Sequence, residues 1–436
     1  MGCGTSKVAP DLGQGDTFQL FGGLFDTNWL LVPESASVPD VLLALDGPVS
    51  KALEKGTIRL VSTTYILSLK PGETLKRQQD LLNVKGALIS PKQAVGLLAA
   101  ADRRVLALSY GWLSAGDPDP FGKRLQAVKR ALQCLKVQGV LRADSGMFWD
   151  FSSLPQKPRT TSEDQAFKDG LGVMANLYAS ALGTAVLQLK EVPSRPKSEI
   201  GSIRVCRMRL GVKDSELRHS YGRFGKITAV ESRGDDEATV RFASREAAVK
   251  ALGFNPKALG MGETAFVCHE YNDRKYNNRG WCVFEDAVSL EFLGRSRQPG
   301  HGAMRSAMDG PKCAKVYNIS STSDPVVVEP AGPQARLSVQ KALDKAIFTG
   351  KGDGKVVLDM YKRFQLDGVQ AAARLEAAEK AGVNGQVCEV TTSITARQQL
   401  AAENAAKRQQ AAREQVASEK IGNHVRAKKA ATKAKK

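Results

Sequence analysis

The order of apolar runs predicts a three-layer α/β protein, a parallel sheet with crossover helices on both faces. Arg104 to Tyr110 (RVLALSY) is a continuous apolar run of the kind found in strands covered on both faces. It is followed by a helix at Leu125 to Leu135, a short strand at Met147 to Asp150, a helix at Ser162 to Ala181 and a strand ending at Leu189. Such β-α-β-α-β alternation calls for parallel strands. The chain has 436 residues, 42% hydrophobic and 25% charged, which leaves room for roughly two to three domains and excludes a collagen-like, mucin-like or wholly disordered protein.

Taken in order, Asp11 to Gly23 is glycine-rich and reads as a loop, and Thr57 to Ser68 is β-branched and apolar, a strand pattern. Pro91 to Ala101 begins with Ser90 at an N-cap position and proline at the first helical position, so a helix is expected there. Leu171 to Leu189 carries no charge but contains Asn176, Ser180, Thr184, Gln188 and three glycines, too polar for a membrane span. A helix ending near Ala181 and a buried strand from Thr184 account for it. After Val192 the PSRPK segment reads as a linker, and Ile203 to Phe254 changes character. Thr264 to Cys268 is expected to resume a strand of the larger sheet, and Trp281 to Leu290 a helix. Pro325 to Pro333 reads as a second linker, and beyond it the chain is alanine-rich and helical, with glycine breaks at Gly350 to Gly354 and Gly382 to Gly385.

Charge is unevenly spread. Lys and Arg number 63 against 45 Asp and Glu, a net +18, and Thr391 to Lys436 alone contributes +8. Residues Ile394 to Lys420 have few large apolar side chains, so this stretch favours helix without burying much core. The basic end, with Lys428, Lys429, Lys433, Lys435 and Lys436, implies attraction to anionic lipid or a nuclear signal. Cys3, Cys134, Cys206, Cys268, Cys282, Cys313 and Cys388 form no CxxC pair, and none of the four histidines is spaced to complete a zinc set with them. Reduced thiols and no metal site are expected.

Met1-Gly2-Cys3-Gly4-Thr5-Ser6 fits the M-G-x-x-x-[ST] pattern for myristoylation at Gly2, with Cys3 placed for palmitoylation. This opening resembles the dually acylated start of Src-type kinases. Two chains are needed because one myristoyl group holds a bilayer only marginally.

Three blocks of the α/β region resemble the heterokaryon-incompatibility domain, whose fold is related to Toll/interleukin-receptor domains. Leu108-Ser109-Tyr110-Gly111-Trp112 looks like the family's L-S-Y-x-W. Phe148-Trp149-Asp150 with Gln156 six residues on, then Met174, Leu177, Tyr178 and Ala181, looks like its second block. Arg279-Gly280-Trp281-Cys282-Val283-Phe284-Glu285 looks like R-x-W-x-x-x-E, and W-C-x-x-E opens the helix bearing the catalytic glutamate of plant Toll/interleukin-receptor domains. Leu113, Ser153 and Phe284 depart from the family's usual glycine, cysteine and glutamine. The resemblance implies that Glu285 is the catalytic residue of NAD cleavage. It further implies that Ser109, Tyr110, Trp112, Asp150, Arg279 and Trp281 bind substrate. NAD enters as substrate, and no cofactor is required. Because nicotinamide leaves as a neutral base, one carboxylate facing the developing oxocarbenium charge can suffice. The plainer alternative keeps the tryptophans as core and pairs Glu285 with Arg279.

Residues Ile203 to Phe254 resemble an RNA-recognition motif, with Glu216 to Ile227 as its first helix and turn and Thr239 to Leu252 as its third strand and second helix. Arg204, Glu237 and Thr239 stand where base-stacking aromatics belong, so sequence-specific RNA binding is not expected. Gly350-Lys351-Gly352-Asp353-Gly354-Lys355 lacks the spacing of a phosphate loop.

The expected organisation is an acylated segment over 1–15, an α/β lead-in over 16–100, and a heterokaryon-incompatibility-like domain in two parts, 101–195 and 262–330. A degenerate RNA-recognition-like insertion occupies 196–261, and a helical basic region 331–436. The expected function is membrane-tethered signalling or stress response with NAD hydrolysis. The alternatives are a non-enzymatic scaffold and an RNA-binding adaptor. Expected partners are the membrane, through the acyl chains and the basic tail, other proteins, and a second copy of the chain. The expected location is the cytoplasmic face of a membrane, with cytoplasm or nucleus as alternatives.

Overall fold

The computed structural model describes residues 36–114, 116–330, 335–348 and 352–383. Gly2, Cys3, residues 16–35, most of the Gly350 loop and the basic end lie outside the described residues. The protein is a mixed α/β structure with one six-stranded and one four-stranded sheet. The strands are β1 (Val61–Ser62), β2 (Val105–Tyr110), β3 (Gly146–Phe148), β4 (Thr184–Leu189), β5 (Ser202–Cys206), β6 (Ile227–Ser232), β7 (Ala238–Phe242), β8 (Phe266–His269), β9 (Val316–Asn318) and β10 (Val326–Val327).

The larger sheet has the order β1-β3-β2-β4-β9-β10. Its four inner strands are parallel, and β1 and β10 close the edges antiparallel. The expectation of an all-parallel sheet therefore holds for the centre only. Every residue of β2 and β4 is buried, which is why neither strand alternates polar with apolar side chains. Val105, Ala107 and Val186 face one core, shared with Phe284, Val288 and the helix Met174–Ala179. Leu106, Leu108, Ala185 and Leu187 face the other, shared with the helix Lys123–Val137. The connection from β2 to β3 thus crosses one face, and the connections from β3 to β4 and from β4 to β9 cross the other. Opposite senses of travel in the sheet require opposite faces when crossovers are right-handed. The direction reverses between the neighbouring strands β2 and β4, and this switch point fixes where the site lies.

Several expected elements change form. Thr57 to Ser68 supplies only the two residues of β1 before turning into the helix Thr63–Ser68, because the Ser62 hydroxyl accepts from Tyr65 N and caps it. Ser162 to Ala181 is two helices, Thr161–Gly172 and Met174–Ala179, separated at Val173. Gly170 lets the first approach closely, since a Cβ there would stand 2.5 Å from Leu154 Cδ2. The expected linker at Pro325 to Pro333 contributes β10. The helix Asp353–Val383 belongs with the larger core rather than with a separate tail, because Val357, Met360, Tyr361, Phe364 and Leu375 are buried in it.

The smaller sheet is antiparallel with the order β6-β7-β5-β8. With the helices Asp214–Gly222 and Arg245–Leu252 it forms a βαββαβ unit. Ile203, Val205, Leu217, Tyr221, Val240 and Phe242 fill the space between its sheet and helices. This corrects the expected boundary at residue 261. The strand at Thr264 to Cys268 does not return to the larger sheet; β8 pairs with β5, Ile203 opposite His269.

Candidate active site

The site is built at the carboxyl ends of β2 and β4. Ser109 is the penultimate residue of β2, and its register partner on β4 is Gln188. Both side chains point to the face covered by the helix Gly280–Ser289, which supplies the carboxylates. The Ser109 hydroxyl donates to Glu285 Oε2 at 2.5 Å. It also lies 2.6 Å from the Tyr276 hydroxyl. Glu285 is half-buried. Removal from water pushes its carboxyl well above the ordinary carboxylate range, the Ser109 bond pulls it partly back, and the nearby Asp150 charge adds to the rise. Burial likewise raises the Tyr276 hydroxyl far above its usual value, so it stays a neutral donor or acceptor.

Asp150, Tyr110 and Trp112 form a second, saturated cluster. Asp150 Oδ1 accepts from the Tyr110 hydroxyl at 2.8 Å and from Phe151 N at 2.7 Å, and Oδ2 accepts from Trp112 Nε1 at 2.7 Å. Trp149 Nε1 in turn donates to the Tyr110 oxygen at 2.8 Å. A carboxylate with this many donors positions its neighbours and shapes the field at Glu285; it is poorly placed to move protons itself. Burial raises its proton affinity and the Tyr110 and Trp112 bonds counter that.

Arg279 does not pair with Glu285. Its guanidinium donates to Arg274 O at 2.9 Å, Trp112 O at 2.7 Å and Asn272 O at 2.8 Å, tying the loop after β2 to the loop before the catalytic helix. Burial pushes it down to about 10. Gly111 makes this possible, since a Cβ would stand 2.4 Å from Arg279 Nε. A second buried guanidinium, Arg124, donates to Gly111 O at 3.0 Å from the other side. Trp281 is turned away from this centre. Its Nε1 donates to Asp353 Oδ2 at 3.3 Å and its ring packs edge-on against Phe284.

The residue types alone did not reveal four members of the neighbourhood. Tyr276 reaches Ser109 from a short 3-10 turn. Tyr178, already part of the second block, donates to Leu108 O at 2.8 Å and lies close enough to Glu285 to temper its proton affinity. Gln188 donates to Asp286 Oδ1 at 2.7 Å, and Lys190 donates to the same oxygen at 3.2 Å while its ammonium lies 5.6 Å from the Tyr276 ring centroid.

The smaller unit presents its helix-free sheet face to the loop after β2. Asn272 N donates to Leu113 O at 2.7 Å, and a Cβ at Gly116 would stand 3.4 Å from Arg204 Nη1. On that face Arg204 makes a two-point pair with Glu270 at 3.2 Å, and the Thr239 hydroxyl donates to Glu270 Oε2 at 2.9 Å.

No family profile matches the chain, and no curated protein matches it significantly.

Proposed function

We propose that this chain is a membrane-tethered signalling or stress-response protein whose larger α/β domain, of heterokaryon-incompatibility and Toll/interleukin-receptor type, hydrolyses NAD at the nicotinamide–ribose bond. The observation that carries this reading is Glu285 held by Ser109 at the switch point of the parallel sheet, with Arg279 engaged elsewhere. A structural glutamate would be paired with the nearest guanidinium; this one faces a hydroxyl and keeps part of its surface open.

In the proposed reaction the C1′–N bond breaks and its electron pair leaves with neutral nicotinamide. The ionised Glu285 carboxylate faces the oxocarbenium centre left behind, water adds to C1′, and its proton passes to solvent. Ser109 fixes the carboxylate, and Tyr276 fixes Ser109. The positive charge of the bound nicotinamide ring favours ionisation of Glu285, offsetting the burial that opposes it.

The smaller unit fits a degenerate RNA-recognition fold better than a working one, because its platform carries Arg204, Thr239 and Glu270 in place of aromatic rings and lies against the loop after β2. The test of the main reading is direct: purified protein is incubated with NAD, in solution and on anionic vesicles, and free nicotinamide is measured. Release that depends on Glu285 supports it. No release under either condition transfers the fold to the scaffold reading.

A further inference from the structure

Ser109, Gln188 and Asn318 are register partners on three neighbouring parallel strands, so their side chains form one polar row across the sheet. The strands are about 4.8 Å apart, which makes the row roughly 10 Å long. Its residues alternate with Ala107, Val186 and Val316, all core, so the row faces the same side as the helix that bears Glu285. Two oxygens in the row have no hydrogen-bond partner. Gln188 is fully buried and its Nε2 is committed to Asp286, which leaves Oε1 as an orphaned acceptor. Asn318 Oδ1 is orphaned in the same way, one strand further along. Buried acceptors are nearly always satisfied, and an unsatisfied one costs about 1–3 kcal/mol. Two of them side by side, at the switch point and next to the Glu285 centre, need donors from outside the chain.

The surroundings define those donors. The row itself offers acceptors, so the ligand must present hydroxyl or amide protons. The apolar cores on either side and the Tyr276 ring leave space for a compact group. Lys190, with its ammonium side chain partly exposed, adds a cation at the mouth. A vicinal diol on a five-membered sugar, attached to an anionic remainder, meets all three conditions. We propose that Gln188 and Asn318 are the specificity-determining residues of the Glu285 site, accepting the hydroxyl protons of a ribosyl group whose phosphates lie toward Lys190. The assignment rests on the NAD-hydrolase reading for its choice of sugar, and it concerns binding rather than cleavage.

The experiment measures binding, so that it stands apart from turnover. The full-length protein is titrated calorimetrically with ADP-ribose and with its analogues lacking the terminal-ribose 2′- or 3′-hydroxyl. Wild type is expected to prefer ADP-ribose by about tenfold or more, the scale of one unsatisfied buried acceptor. Gln188→Met and Asn318→Leu, on separate strands, are each expected to bring that ratio close to one while leaving affinity for the deoxy analogues unchanged, with melting curves confirming the fold. Equal affinity of wild type for all three ligands, no binding of ADP-ribose, or a ratio that survives in a folded variant overturns the proposal. Preference for ADP-ribose without nicotinamide release keeps the proposal and removes the hydrolase reading. Nicotinamide release without hydroxyl preference does the reverse.

Discussion

Ser109 and Glu285 are 176 positions apart in the chain, yet the serine hydroxyl donates to the glutamate at 2.5 Å. The bond couples the sheet to the helix Gly280–Ser289 at the point where crossover direction reverses. It also sets the working range of the carboxylate. Burial holds the Glu285 proton above the ordinary carboxylate range, and the Ser109 donor is the largest force opposing that. Since only the ionised form faces the developing cation usefully, NAD hydrolysis is expected to rise with pH on the alkaline side of the usual carboxylate range. Ser109→Ala removes the opposing bond, so the rise moves to higher pH, and a pH–rate profile of both proteins measures the displacement. A displacement to lower pH would reverse the assigned roles.

Glu285→Gln keeps the size of the side chain and deletes its charge. Turnover is expected to fall by on the order of a hundredfold or more, the scale of one preorganised electrostatic group. NAD affinity is expected to change little, because the interaction strengthens chiefly in the transition state. Steady-state kinetics and a binding titration separate the two, and equal turnover in a folded variant would move the site to another residue.

Gly111→Ala tests the arginine clamp. The added methyl would stand 2.4 Å from Arg279 Nε, within a guanidinium that holds three backbone carbonyls. Overpacking of this kind costs about 1–3 kcal/mol, read as a lower denaturant midpoint. Unchanged stability would mean that the guanidinium yields easily and does not fix the loop.

What the sequence made legible follows from how local each signal is. β2 and β4 were plain because a strand buried on both faces must be apolar throughout, and Ser90 announced its helix because the capping box with Gln93 lies within four residues. Thr57 to Ser68 misled because β-branched residues suit a strand, whereas the outcome depended on Ser62 capping Tyr65 and on Thr63 donating to the distant Ser145 O. The end of the inserted unit was placed too early because β8 is fixed by pairing with β5, some sixty residues back, which no local pattern encodes. In the site, Glu285, Ser109 and Asp150 were found through short motifs. Gln188 and Asn318 were not, since only strand register brings them beside Ser109.

The sheet face of the smaller unit gives a prediction about RNA. Arg204, Thr239 and Glu270 bind one another there, and no aromatic ring occupies the positions that would stack on bases. The full-length protein is expected to bind single-stranded RNA only weakly, with a steep salt dependence and no sequence preference. Sequence-selective binding that persists at physiological salt, measured by filter retention, would establish the adaptor function instead.

The acyl anchor is tested in cells. Gly2 and Cys3 lie outside the described residues, and the expectation rests on the opening pattern alone. A C-terminal fluorescent fusion is expected on membranes, with Gly2→Ala released and Cys3→Ser partly released, because one remaining chain binds only marginally. An unchanged distribution of Gly2→Ala would remove the anchor.

Asp46 supplies the last prediction, far from the chemistry. It is buried, its Oδ2 accepts from the Ser180 hydroxyl at 2.9 Å, and its Oδ1 has no partner. Burial raises its carboxyl from 3.8 to about 7, with the Ser180 bond and the nearby Lys315 charge opposing the rise. Lys315 is itself buried, donating to Tyr178 O and Thr184 O, and burial lowers its proton affinity. For Asp46 the folded value lies above the unfolded one, so the folded state holds the proton more tightly. Its contribution to stability is full below about pH 4 and is lost as the pH rises through about 7. The whole effect is on the order of 4 kcal/mol at most, at roughly 1.4 kcal/mol per tenfold change in proton affinity. Asp46→Asn keeps an acceptor for Ser180 and cannot ionise. Urea midpoints measured from pH 4 to pH 8 are therefore expected to fall less steeply with pH in the variant, with the gain over wild type largest at the alkaline end. Parallel curves for the two proteins would mean that Asp46 does not titrate in this range.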